Sequence, residues 1–96
     1  MRPYEILLVL QPDLEEEAIE AVLERLSGVI TGGGGTLDNE DRWGKRRLAY
    51  EIDKFTEGFY VVIDFQAEPA TAGELERIVK ITNGVMRHML IRKDED

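Results

Sequence analysis

The residues with the most chemistry in them form one short segment. Arg42-Trp43-Gly44-Lys45-Arg46-Arg47 holds four of the chain's twelve cations in six positions. Guanidinium groups grip phosphate bidentately and stack on bases. A tryptophan beside them could stack on a base or on a guanidinium. Asp38, Glu40 and Asp41 come just before, so the sign of the charge reverses within a few residues. Lys54 follows nearby. Such a segment suits contact with a nucleic-acid backbone. It equally suits arginines that pair with an excess of acid, the usual fate of charge runs.

Other chemistry finds little support. The chain has no cysteine, which excludes disulfides, thiolate metal sites and a cysteine nucleophile. One histidine, His88, cannot build a histidine-rich metal site. Glu15, Glu16 and Glu17 are consecutive on an expected helix, so they point about 100° apart and do not converge on one ion. Gly32 to Gly35 lacks the Lys-Ser/Thr of a phosphate loop and follows a helix, not a strand. No catalytic residue, metal or cofactor is expected.

The whole-chain balance sets limits on partners. In 96 residues, 12 Lys+Arg stand against 20 Asp+Glu, a net charge of −8. That argues against a surface that sticks everywhere to nucleic acid or anionic membrane. The length predicts one domain over residues 1–96. The longest apolar run, Ile6 to Leu10, is too short to span a bilayer. No basic region followed by an apolar stretch and a small-residue cleavage site opens the chain, so the cytoplasm is the expected location.

The elements that must position these residues read as βαββαβ. A first strand runs from Tyr4 to Leu10 and stops at Gln11-Pro12. A helix should open at Asp13, with Glu16 closing a capping box. Its apolar period is Ile19, Val22, Leu23, Leu26, Val29 and Ile30. The second strand covers Thr36 to Ile52, with Trp43-Gly44 marking a bulge or close approach. Lys54 to Gly58 reads as a turn, and Phe59 to Gln66 as the third strand. Thr71 with Glu74 predicts a second capping box ahead of Leu75, Ile78 and Val79. Asn83-Gly84 ends that helix, Val85 to Lys93 forms the fourth strand, and Asp94-Glu95-Asp96 is an acidic end. This order predicts an α+β, ferredoxin-like fold: a four-stranded antiparallel sheet with two helices on one face.

Two helices cover one face only, and the other face should turn polar. Several strands do not alternate that way. The first is apolar at Leu7 and Val9 as well as at Ile6, Leu8 and Leu10. The third carries Tyr60 and Val62 opposite Phe59, Val61, Ile63 and Phe65. The fourth sets Met89 and Ile91 against Met86 and Leu90. The helix-free face should therefore carry an apolar patch, which on a small protein usually marks a contact site. Leu7, Val9, Tyr60 and Val62 are the expected partner-binding residues.

Three stretches make the sequence similar to a known family. They are Arg2-Pro3-Tyr4-Glu5, then Gly44-Lys45-Arg46-Arg47-Leu48-Ala49-Tyr50 with Ile52 and Lys54, and Gly58-Phe59-Tyr60. Together they resemble bacterial small-subunit ribosomal protein six, and the resemblance runs over essentially the whole chain. Glu51 stands where that family usually has proline. The resemblance implies a non-enzymatic constituent of the small ribosomal subunit. It implies binding to the central domain of small-subunit ribosomal RNA, as a heterodimer with ribosomal protein eighteen. By motif position, Arg46 and Arg47 would touch RNA, with Lys45 beside them in the same basic segment, and Arg2 matches the family's N-terminal arginine. Lys54, Arg87 and Arg92 join them by their place on the fold. Two other readings stay open on the residues themselves. One is a ferredoxin-like regulatory or small-molecule-binding domain. The other is a homo-oligomer that pairs its apolar sheet faces.

Overall fold

The computed structural model describes residues 1–94, and the last two residues of the acidic end lie outside that range. The elements are β1 (Arg2–Leu10), α1 (Glu16–Gly32), β2 (Thr36–Ile52), β3 (Phe55–Ala67), α2 (Pro69–Lys80) and β4 (Val85–Arg92). The sheet order is β2-β3-β1-β4, and all three pairings are antiparallel. This is the expected ferredoxin-like arrangement.

Period two in the strands and period 3.6 in the helices build one core. Tyr4, Ile6, Leu8 and Leu10 of β1 and Val61, Ile63, Phe65 and Ala67 of β3 point the same way. They meet Ile19, Val22, Leu23, Leu26 and Ile30 of α1 and Ala72, Leu75 and Val79 of α2. Tyr4 stacks on Phe65 with ring centroids 5.4 Å apart. This packing fixes the sheet plane, and with it the direction in which the other face looks.

Both helix starts differ from the capping boxes expected. The N-cap of α1 is Glu15, and no side chain bonds to its first turn. Asp13 lies two residues outside, in the turn after β1, so the box does not form. Glu16 and Glu17 still place negative charge against the positive end of the helix. In α2 the N-cap is Glu68, because Pro69 sits at the first helical position with φ already helical. Thr71 is thereby drawn inside the helix. Its hydroxyl donates to the Gly33 carbonyl at 3.4 Å, tying the start of α2 to the end of α1.

The β2–β3 turn also differs. Lys54 to Gly58 is not a turn; β3 begins at Phe55, paired with Ile52. The chain reverses in two residues, Asp53 and Lys54, both with positive φ (47° and 72°). A two-residue turn of this hand matches the strand twist, and aspartate tolerates the left-handed region. The hairpin therefore outruns the sheet. β1 pairs with β3 no further than Leu10↔Phe59, so residues 46–58 have no third strand beside them.

Candidate nucleic-acid and protein interface

The open face is best followed row by row across the sheet. One row is Gly44–Tyr60–Val9–Arg87, the next Asp41–Val62–Leu7–Met89, and the third Asn39–Asp64–Glu5–Ile91. Leu7, Tyr60 and Val62 are half-buried. Met89 is 56% exposed and Ile91 45%. Val9 sits at the centre of its row yet is only 3% exposed. It backs the face and presents almost no surface of its own.

The reason for the burial of Val9 lies at Gly58. A Cβ at Gly58 would stand 2.4 Å from Val9 Cγ1 and 3.3 Å from both Leu48 Cδ2 and Met86 Cε. The missing side chain lets these three groups close over the outer end of the face. Met86 reaches this side because the β1–β4 register shifts between Val9 and Leu10. That bulge breaks the parity that groups Met86 with Leu90, and only Leu90 packs against the helix-side core.

A second bulge shapes the cationic segment. Arg42 pairs with Val61 and Gly44 with Tyr60, so Trp43 is the extra residue. Gly44 takes φ +80°, which a residue without Cβ adopts freely. Strict alternation would set Trp43 and Arg46 on opposite faces. With one residue inserted, Arg46 pairs with Gly58, on the side of Tyr60 and Trp43. There the indole lies parallel to the Tyr60 ring, at 7° and 6.1 Å between centroids. Its N–H donates to Asp41 Oδ2 at 3.1 Å, and its carbonyl accepts from Arg46 Nε at 3.4 Å.

The four cations of the segment are not equivalent. Arg42 lies on the helix side and is consumed there. It donates to Glu20 of α1 and, through Nε, to Glu40 Oε2 at 3.0 Å. The hydrogen bond from Arg42 holds the Glu20 carboxyl below its ordinary range, and Glu20 in turn raises the pKa of Arg42. Lys45, Arg46 and Arg47 are exposed, and among the described residues none has an ion pair. Lys54 stands at the hairpin turn, exposed and likewise without one.

The other sequence-predicted cations lie elsewhere. Arg2 reaches Asp94 at 3.6 Å and Arg92 reaches it at 2.6 Å, beyond the far end of the sheet from the hairpin. These guanidiniums, Arg92 foremost, hold the Asp94 carboxyl below its ordinary range. Arg87 is exposed on β4, the edge opposite β2. The structure thus sets Lys45, Arg46 and Arg47 on one strand of the hairpin, Arg46 on the open side and Lys45 and Arg47 on the other, with Lys54 at the hairpin's tip. It does not bring Arg2, Arg87 or Arg92 to them. His88 faces the helices and lies 3.1 Å from Glu76 of α2. Among the described residues no group of carboxylates and histidines could hold a metal, and no helix is long and apolar enough to cross a membrane.

A four-stranded antiparallel sheet with both helices on one face and a half-apolar face left without helices defines a ferredoxin-like protein. Comparison with known proteins places it among ribosomal proteins. The ribosomal protein S6 family pattern matches residues 3–92. The small ribosomal subunit protein bS6 of Clostridium beijerinckii is 50% identical over 93 residues, covering 97% of this chain and 98% of that one. That of Moorella thermoacetica is 47% identical over 96 residues, covering 100% and 98%. The crystal structure of 30S ribosomal protein S6 from Thermotoga maritima superposes with a TM-score of 0.89 at 35% identity, covering 96% of this chain and 87% of that one. The chain belongs to the ribosomal protein S6 family and is a structural ribosomal protein, not an enzyme.

Proposed function

We propose that the protein is a component of the small ribosomal subunit that binds the central domain of its ribosomal RNA. It does so as a heterodimer with ribosomal protein eighteen. RNA lies along the hairpin at Lys45, Arg46, Arg47 and Lys54, and the partner covers the open face around Leu7, Tyr60 and Val62. The observation that carries this reading is the division of charge in the Arg42–Arg47 segment. Glu20 and Glu40 neutralise one cation, while the three that follow have no acidic partner among the described residues. Arg46, Arg47 and Lys54 stand beyond the end of β1, clear of the acidic first helix; Glu51, Asp53 and Glu57 share that overhang, so phosphate contact rests on the individual guanidinium and ammonium groups and not on a net positive charge. Such contacts position the protein, and RNA shape supplies the specificity. Arg2, Arg87 and Arg92 are secondary RNA contacts in this reading.

The test is assembly onto a central-domain RNA fragment with the partner present, across a salt series. Arg46→Ala with Arg47→Ala should weaken binding about 10- to 100-fold and flatten the salt slope by about 0.7–0.9 per phosphate lost. Unchanged affinity and slope would remove the hairpin from the RNA interface.

A further inference from the structure

The open face is electrically polarised along its strands. Glu5 and Asp64 stand in one row, and Arg87 stands two rows away. Asp64 already accepts from Lys93 Nζ at 3.2 Å. Glu5 is half-buried and has no ion pair or side-chain hydrogen bond among the described residues. It lines a groove of about 140 Å³ with Leu7, Trp43, Val62, Met89 and Ile91. The groove is otherwise apolar, and its indole wall is fixed by the Asp41 hydrogen bond and the Tyr60 stack.

A carboxylate in such a place is well hydrated only while the face is bare. Any protein that covers the face strips water from it, which is unfavourable unless a cation arrives with the partner. A guanidinium answers both walls at once, forking onto the carboxylate and lying against the indole. We propose that this groove is a socket for an arginine side chain of the protein that docks on the open face. The inference rests on the reading that ribosomal protein eighteen covers that face. It also fixes which way round the partner lies, since the Arg87 end repels what the Glu5 end attracts.

Titration calorimetry with ribosomal protein eighteen of the same organism, at low and high salt, tests the socket. Glu5→Gln should weaken the heterodimer about tenfold and flatten its salt dependence. Trp43→Leu should weaken it severalfold with the salt dependence kept, and Glu5→Asp should recover most of the affinity. Leu7→Glu, in the same groove, should abolish binding through the docking face itself. If Leu7→Glu abolishes binding while Glu5→Gln binds as the unaltered protein does, the socket is wrong and the docking face stands. Loss of affinity in Glu5→Gln with an unchanged salt dependence also overturns the socket, since the carboxylate then acts other than by charge. Full binding by Leu7→Glu overturns both.

Discussion

Ile6 and Leu7 are neighbours on β1 and similar in chemistry, but the sheet gives them different work. Ile6 is fully buried between the sheet and the helices. Leu7 faces the other way, half-covered, beside Val62 and Met89. The helix-side residues of β1 are packed within the chain, while Leu7 on the open face is only partly covered. An apolar residue on the first face holds the fold, while one on the second, under the proposed function, serves contact. Alternation along the strand separates the two roles, so single substitutions can tell them apart.

The largest effect should come from breaking the covered face. Ile6→Ala should cost about 2–5 kcal/mol, since the surrounding side chains relax only partly into the cavity. Leu7→Ala should change stability by no more than about 0.5–1 kcal/mol, because its surface is already partly in water. Urea denaturation of the two variants measures the contrast. Equal losses would mean that the open face is as much a core as the covered one.

Gly58 sharpens the comparison from the open side. It is a buried point of that face, where Val9, Leu48 and Met86 close over the backbone. Gly58→Ala should destabilise by about 1–3 kcal/mol, because Val9 Cγ1 and the new methyl cannot both keep their positions. Trimming Val9 in the same molecule, as Val9→Ala, should recover part of the loss. A melting temperature for Gly58→Ala equal to that of the unaltered protein would show that the region yields freely.

The two faces were not equally legible in the sequence. The covered face announces itself through periodicity: Ile19 to Ile30 in α1 and the even positions of β1 have no other sensible reading. The element order follows, and with it the fold. The excess of apolar residues on the opposite parity is visible too. What periodicity does not carry is any feature made by a register shift. The bulge at Trp43 returns Arg46 to the side of Tyr60, and the bulge beside Val9 moves Met86 away from Leu90. Each inserts one residue and reverses every parity beyond it. Helix starts fail for a related reason. Pro69 and Thr71 both signal a beginning, and only the backbone decides which comes first. Glu20 lies 22 residues from Arg42, and nothing local links them.

That last pair gives the smallest effect, and one whose sign is informative. Glu20 and Glu40 hold Arg42 on the helix side, while Arg46, four residues on, has no acidic partner among the described residues. Glu20→Gln removes one acidic charge and loosens the guanidinium. Both changes favour RNA, so affinity should rise about twofold and the salt slope should steepen by up to about 0.7–0.9, the increment for one phosphate. Thermal stability should hardly move, since the pair is exposed and surface ion pairs contribute little. Acid should act in the same direction on the clamp. The Glu20 carboxyl is lowered by Arg42, so the pairing is complete above the ordinary carboxylate range. It is lost only as the pH falls through the lowered value. A fall in RNA affinity for Glu20→Gln at neutral pH would show that the clamp serves to aim the hairpin, and that withholding Arg42 is secondary.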